Sequence, residues 1–200
     1  VVVVFLDLRG FTAFTDSCEP EEVMGVLGEY HRMMGQLIMA HEGTLEHFAG
    51  DGIMIFFNDP IPLEKPAENA ISMALEMQQQ FAPLRAAWKK RGFNLDLGIG
   101  ITQGYATLGA VGFEGRWEYS CIGSVANLAS RLCNEAKGGQ ILINQKTLIR
   151  IEDVVQAEQD RQPEDRHERQ RPARRLEDAP DRHAPAAARE VVHHHQAERS

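Results

Sequence analysis

Cysteine is scarce in this chain, and lysine and glycine are missing from its last fifty residues. Only Cys18, Cys121 and Cys133 occur, none in C-x-x-C spacing, which excludes a disulfide framework and a paired-thiol zinc site. They read as buried or incidental thiols of a reducing compartment. Positive charge is also short: 21 Lys and Arg against 29 Asp and Glu give a net charge of -8. No extended basic face is therefore expected, and no nucleic-acid partner. No apolar run approaches the roughly 20 residues that span a bilayer, and no signal peptide is visible. A cytoplasmic domain is the expectation. What the chain does have is 43% hydrophobic residues over 200 positions, enough for one good core.

Two aspartates stand out against that background. Asp7 closes the apolar run VVVVFLD, and Asp51 lies in the turn of FAGDGIMIFF, with Gly10 after the first and Gly50 and Gly52 around the second. A carboxylate at the end of a buried strand costs free energy unless something cationic pairs with it. Two of them brought together form a natural site for Mg²⁺ or Mn²⁺, which take oxygen ligands and substrate phosphates. The pattern points to an enzyme of phosphate chemistry.

Periodicity supplies the scaffold. Residues 1–8 read as a buried strand. Pro20, Glu21 and Glu22 mark a helix start, since proline suits the first turn and acids suit the positive end of the dipole. Val23, Val26, Leu27, Tyr30, Met34, Leu37, Ile38 and His41 follow at helical spacing, and Gly43 ends the run. TLEHF, the AGDG turn and IMIFF form a hairpin. Pro60, Pro62 and Pro66 make a loop before a long helix to about Lys90, continued or kinked at Pro83. FNLDLGIGIT and YATLGAVG read as strands, Ser124 as the cap of a helix through Ala136, and QILIN as a short strand. The fold class is α+β: a ferredoxin-like βαββαβ core, with an additional C-terminal helix and strand, and helices packed on a mainly antiparallel sheet. In that topology the first strand runs antiparallel to the second hairpin strand at the sheet centre. Asp7 then meets Asp51. From residue 156 to 200 the chain has no aromatic residue and no glycine, and is rich in Arg, Asp, Glu, Pro and Ala. Such a segment buries too little surface to offset its ordering entropy, so a disordered tail is expected there. His193, His194 and His195 within it read as an incidental tract.

FLDLRGFT, FAGDGIMIFF and SCIGSVANLASRL together resemble the class III nucleotidyl cyclase catalytic domain, the adenylate and guanylate cyclase family, in its bacterial branch. The likeness covers roughly residues 1–155, a domain expected to be incomplete at its N-terminus and its C-terminus, with sensor or membrane segments upstream. The resemblance implies that Asp7 and Asp51 bind two Mg²⁺ or Mn²⁺ ions with the Leu8 carbonyl, and that the turn of Arg9, Gly10, Phe11 and Thr12 borders the phosphates. It assigns ribose orientation to Asn127 and transition-state stabilisation to Arg131, which are four apart and project from one helix face. It places Arg116 near the terminal phosphates. It also implies a homodimer in which the metal carboxylates of one copy face Asn127 and Arg131 of the other.

The base pocket departs from the familiar pattern. Adenylate cyclases of this family commonly carry Lys four residues before the second metal aspartate, and guanylate cyclases Glu; here the residue is His47. Its companion, seven before Asn127, is Ser120. Both side chains can donate or accept, so neither forces adenine over guanine. The absence of Glu at position 47 favours ATP as substrate, with GTP as the alternative. A non-catalytic regulatory dimer is the reading from another class. The family continues past the QILIN strand with two strands carrying a phosphate-contacting Lys, whereas this chain has no Lys after Lys146.

Overall fold

In the computed structural model, residues 1–151 are described in full, and beyond them only the backbone of 157–160 and 189–192. The first strand, β1 (Val2–Arg9), is flanked by β3 (Gly52–Phe57) and β4 (Asp96–Gln103), both antiparallel to it. With β2 (Thr44–Ala49) beyond β3, the order β2-β3-β1-β4 is that of the expected βαββαβ core. The crossing helices are α2 (Pro20–Ala40) and α3 (Pro66–Lys90). Helix α2 starts as the sequence indicates, with Pro20 in its first turn and a capping box between Glu19 and Glu22. Helix α3 runs through Pro83, whose ring lies on its exposed side.

Side-chain alternation divides the sheet into two faces. Val2, Val4, Leu6 and Leu8 of β1 join Ile53, Ile55, Phe57, Leu97, Ile99 and Ile101 in the main core. Tyr30, Met34 and Ile38 of α2 and Ile71, Met77, Phe81 and Trp88 of α3 cover it. Each such large apolar side chain contributes roughly 1.5–3 kcal/mol on burial. Val3, Met54 and Phe56 face the opposite way, against Val125, Ala126 and Ala129 of helix α4 (Ser124–Glu135). That face also receives Asp7. Two glycines of β4 clear room on this face, Gly100 for the backbone of α4 and Gly98 for the Arg9 side chain. A Cβ at Gly100 would fall inside contact distance of the Ala129 carbonyl oxygen and the Cys133 backbone nitrogen, and one at Gly98 would meet Arg9 Nε at 2.7 Å.

Several elements add to the expected scheme. A short helix α1 (Phe11–Thr15) follows β1 at once. Strands β5 (Thr107–Phe113) and β6 (Arg116–Ile122) form a separate two-stranded arm, of which only the first strand was legible. After β7 (Ile141–Asn144), parallel to β4, comes helix α5 (Gln145–Ile151). Helix α4 begins at Ser124 itself: Gly123 occupies the cap position, and no side-chain cap bond forms.

Two further strands, β8 (Ala157–Asp160) and β9 (Arg189–Val192), extend the sheet beyond β7. The structure departs here from the expectation of a segment without regular structure after residue 155. Strand pairing is a backbone interaction, and the open edge of β7 offers unpaired N–H and C=O groups whatever the partner's side chains. The other residues after 151, including His193, His194 and His195, lie outside the described residues. Among the described residues no helix is long and apolar enough to cross a membrane.

The Gly100 contact yields a test of how α4 is placed. Gly100→Ala should destabilise the domain by about 1–3 kcal/mol, the usual cost of overpacking a closed contact. Urea denaturation followed by circular dichroism measures it, and an unchanged midpoint would show that α4 does not rest on β4 as described.

Candidate active site

The site begins with strand register. Leu6 pairs with Ile53 at the end of the β1–β3 ladder, so Asp7 emerges level with the turn that precedes β3. That turn carries Asp51 between Gly50 and Gly52, and Gly50 adopts a φ of 63°, which its missing side chain permits. The Leu8 backbone N–H donates to Asp51 Oδ2 at 3.2 Å, closing the turn onto β1. Asp7 and Asp51 are thereby brought together, as topology predicted. An open cavity of about 430 Å³ surrounds them, lined by Leu8, Arg9, Gly10, Phe11, Thr12 and Ala13 as well. Gly10 turns the chain with a φ of 86°, and a Cβ there would lie 2.7 Å from the Asn94 carbonyl oxygen.

The electrostatics follow from this proximity. Burial pushes the Asp51 carboxyl up to about 7, and its hydrogen bond with Asp7 and the Asp7 charge add to the shift; the backbone N–H groups of Asp51 and Leu8 oppose it. Arg9 is the nearest cation, with Nη2 at 3.7 Å from Asp7 Oδ2. Its guanidinium is shared with the end of α4, donating to the Asn134 carbonyl and the Cys133 sulfur, both at 3.4 Å. The Cys133 thiol is pushed up to about 12, mainly by burial, which suits an inert packing thiol. Tyr30, near enough to feel both charges, has a buried hydroxyl with no hydrogen-bond partner among the described residues. Burial first, then the Asp51 and Asp7 charges, drive its ionisation well above the ordinary range.

A divalent cation fits this donor set. Two carboxylates converge here, and burial first and Asp7 second disfavour the ionised form of Asp51, a penalty that a cation bound between them would offset. Among the described residues no third Asp, Glu, His or Cys completes a cluster. Oxygen donors alone, with positions left for water and phosphate, match Mg²⁺ or Mn²⁺ rather than zinc.

The remaining predicted residues lie elsewhere. Asn127 and Arg131 are on the exposed face of α4, opposite the Val125, Ala129 and Leu132 face packed on the sheet. Their side chains make no hydrogen bond or ion pair among the described residues, and the single chain does not bring them to Asp7 and Asp51. Arg116 is at the tip of the β5–β6 arm, paired with Glu118 at 3.1 Å. His47 is 46% exposed on β2, and Ser120 lies on β6.

Two residues escaped the sequence reading. The register between β2 and β3 slips between Leu45 and His47, a bulge that leaves Glu46 unpaired. His47 pairs with Met54 on the α4 side of the sheet, and Glu46 points the same way, because its Oε1 accepts the Cys121 N–H of β6 at 3.1 Å. The Glu46 side chain is 8% exposed and its Oε2 has no hydrogen-bond partner. His31 of α2 donates from Nε2 to the Gly50 carbonyl at 2.9 Å, inside the aspartate turn. No periodic pattern signals either contact.

Comparison with known proteins agrees with this geometry. Residues 1–169 match the family model for the adenylate and guanylate cyclase catalytic domain. Adenylate cyclase 1 of Rhizobium meliloti is 30% identical over 158 residues, 78% of this chain and 24% of the relative. An adenylate cyclase of Anabaena cylindrica is 32% identical over 155 residues, 74% of this chain and 30% of the relative. The chain thus spans less than a third of these proteins' length. Among solved structures, the adenylyl cyclase CyaB of P. aeruginosa superposes with a TM-score of 0.83 at 30% identity, covering 100% of this chain and 96% of that one. The guanylyl cyclase Cya2 gives 0.78 at 28% identity, covering 96% and 89%.

The raised Asp51 carboxyl makes a pH prediction for metal-free protein. The folded state holds this proton more tightly than the unfolded chain, whose carboxyl titrates near the ordinary 3.8. Stability contributed by the pair is therefore full below about pH 4 and falls as pH rises toward 7. Asp51→Asn should flatten that fall. Urea midpoints measured from pH 4 to 8 in EDTA check it, and an equal slope in both proteins would contradict it. With the fold, the paired carboxylates and the matched sequence in agreement, the chain belongs to the adenylate and guanylate cyclase catalytic domain family.

Proposed function

We propose that this domain is an adenylate cyclase, closing ATP to 3′,5′-cyclic AMP with release of pyrophosphate, at a site shared by two copies of the chain. One observation carries the reading. Asp7 and Asp51 converge on an open cavity, while Asn127 and Arg131 point outward from the far side of α4 with no side-chain partner among the described residues. Each chain holds two halves of a site that face different ways, and a two-fold axis brings unlike halves together twice. The arm supports this pairing. Val111, Phe113 and Ile122, which the β5–β6 register places on one face of the arm, are all exposed, apolar positions suited to contact with a second copy.

In this account Asp7, Asp51 and the Leu8 carbonyl hold Mg²⁺ or Mn²⁺ ions, two in each site. Such ions, when bound, lower the pKa of the ribose 3′-hydroxyl and neutralise the departing pyrophosphate. The 3′-oxygen attacks the α-phosphorus as the bond to the pyrophosphate oxygen breaks, and the hydroxyl proton passes to solvent. Gly10, Phe11 and Thr12 line the phosphate end of the cavity. From the partner copy, Asn127 orients the ribose and Arg131 donates to the crowded α-phosphoryl oxygens. Arg116 reaches toward the terminal phosphates from the arm. His47 and Ser120 face the base.

A second reading, GTP as substrate, rests on Glu46. Its unpartnered oxygen lies beside His47, with 3.9 Å between Oε2 and Nδ1, and a carboxylate accepts only from donors. Guanine offers an N–H and an amino group on one edge.

Both readings are tested by incubating the purified chain with Mn²⁺ and ATP, GTP, CTP or UTP, and resolving products by chromatography beside Asp51→Ala. Cyclic AMP from ATP, lost in the variant, is expected. Cyclic GMP as the main product would select the second reading. No cyclic product from a folded dimer would overturn both in favour of a regulatory module. His47→Glu should raise the GTP to ATP ratio, and an unchanged ratio would remove His47 from the base pocket.

A further inference from the structure

We propose that His31 is a positioning residue for the metal site, acting through the backbone of the turn that carries Asp51. The inference rests on the reading of Asp7 and Asp51 as metal ligands. The Gly50 carbonyl, to which His31 Nε2 donates at 2.9 Å, belongs to the peptide unit whose nitrogen is that of Asp51. Fixing that oxygen restrains the plane of the peptide, and with it the Asp51 N–Cα bond about which the side chain is placed.

The turn needs such a tether. Asp51 has a glycine on either side, Gly50 at a φ of 63°, and glycine resists rotation less than any other residue. Beyond the ladder bond at its base, the Leu8 N–H holds the carboxylate itself, at 3.2 Å. That bond uses a lone pair on Oδ2 and places no restraint on the Gly50 peptide. The His31 bond anchors the turn on its other side.

His31 is itself held in place. Its ring stacks on Phe48, one strand residue before Ala49, with centroids 4.3 Å apart and planes inclined by 31°. It follows Tyr30, which is fully buried in the core, so α2 is fixed at this point. A carbonyl oxygen can only accept, so Nε2 must carry the hydrogen. The helix thereby connects the main core to the turn through one ring. Nothing else in α2 reaches the turn by a hydrogen bond among the described residues.

The test measures Mn²⁺ binding directly, by the electron paramagnetic resonance signal of the free ion, on the whole chain without nucleotide. His31→Phe keeps an aromatic ring against Phe48 and removes the donor alone. His31→Gln restores an N–H within reach of the carbonyl. Thermal unfolding is recorded for each protein. The proposal expects Mn²⁺ binding to weaken on the order of 5-fold in His31→Phe, the scale of one net hydrogen bond, and to recover in His31→Gln. It expects the metal concentration for half-maximal turnover to rise in parallel, with turnover at saturating metal changed less. A lowered unfolding temperature in His31→Phe with Mn²⁺ binding unchanged would make His31 structural only and overturn the proposal. Wild-type Mn²⁺ binding that survives Asp51→Ala would instead remove the metal site, and the proposal with it.

Discussion

The meeting of Asp7 and Asp51 is the constraint around which the rest of this fold is arranged. Two carboxylates brought together at the end of a buried strand are unfavourable on their own, and burial first, then the Asp7 carboxylate, raise the Asp51 carboxyl to about 7. A sheet would not place them so without compensation. The compensation in hand is small: the backbone N–H groups of Leu8 and Asp51 and a shared guanidinium from Arg9. Oxygen donors in an open cavity suit a hard divalent cation, the occupant proposed above.

The neighbouring elements serve that pair in different ways. The β1–β3 register sets the level at which the carboxylates meet. Glycines at 98 and 100 clear room on β4, the first for Arg9 and the second for the backbone of α4. Helix α4 is thus held by its small residues and presents Asn127 and Arg131 to the outside. The separation within one chain follows directly. A helix packed closely on the sheet cannot also turn its polar face toward the sheet's own carboxylates, which is the ground for proposing that a second copy meets that face.

Much of this was legible because the signals were strong. β1, β3 and β4 are apolar runs, α2 and α3 carry long helical stripes, and antiparallel pairing of β1 with β3 follows from the element order alone. The pairing of Asp7 with Asp51 could therefore be derived before any coordinates. Strand β6 was not seen, though Trp117, Tyr119 and Cys121 alternate through it, because its neighbours are charged and the arm is largely exposed. Helix α1 is five residues long and packs behind a turn, too short for periodicity. The bulge at Glu46 adds one residue to a strand and so reverses the side on which that residue points, which no alternation rule anticipates. Strands β8 and β9 pair through backbone in a stretch whose composition argued for no structure at all. His31 was hidden because its role lies in a bond to a carbonyl nineteen residues away, made by geometry and not by residue type.

The central claim is that the site is divided between two copies, with carboxylates from one and the α4 face from the other. Mixing Asp51→Ala chains with Arg131→Ala chains tests it most directly, since each homodimer lacks a necessary group in both sites. Each variant alone should lose activity, on the order of 10²–10³ in rate for the arginine. The mixed dimer should recover one intact site and cyclise ATP at a substantial fraction of the wild-type rate. Activity no higher than that of the separate variants, with mixed dimers shown to form, would contradict the shared site.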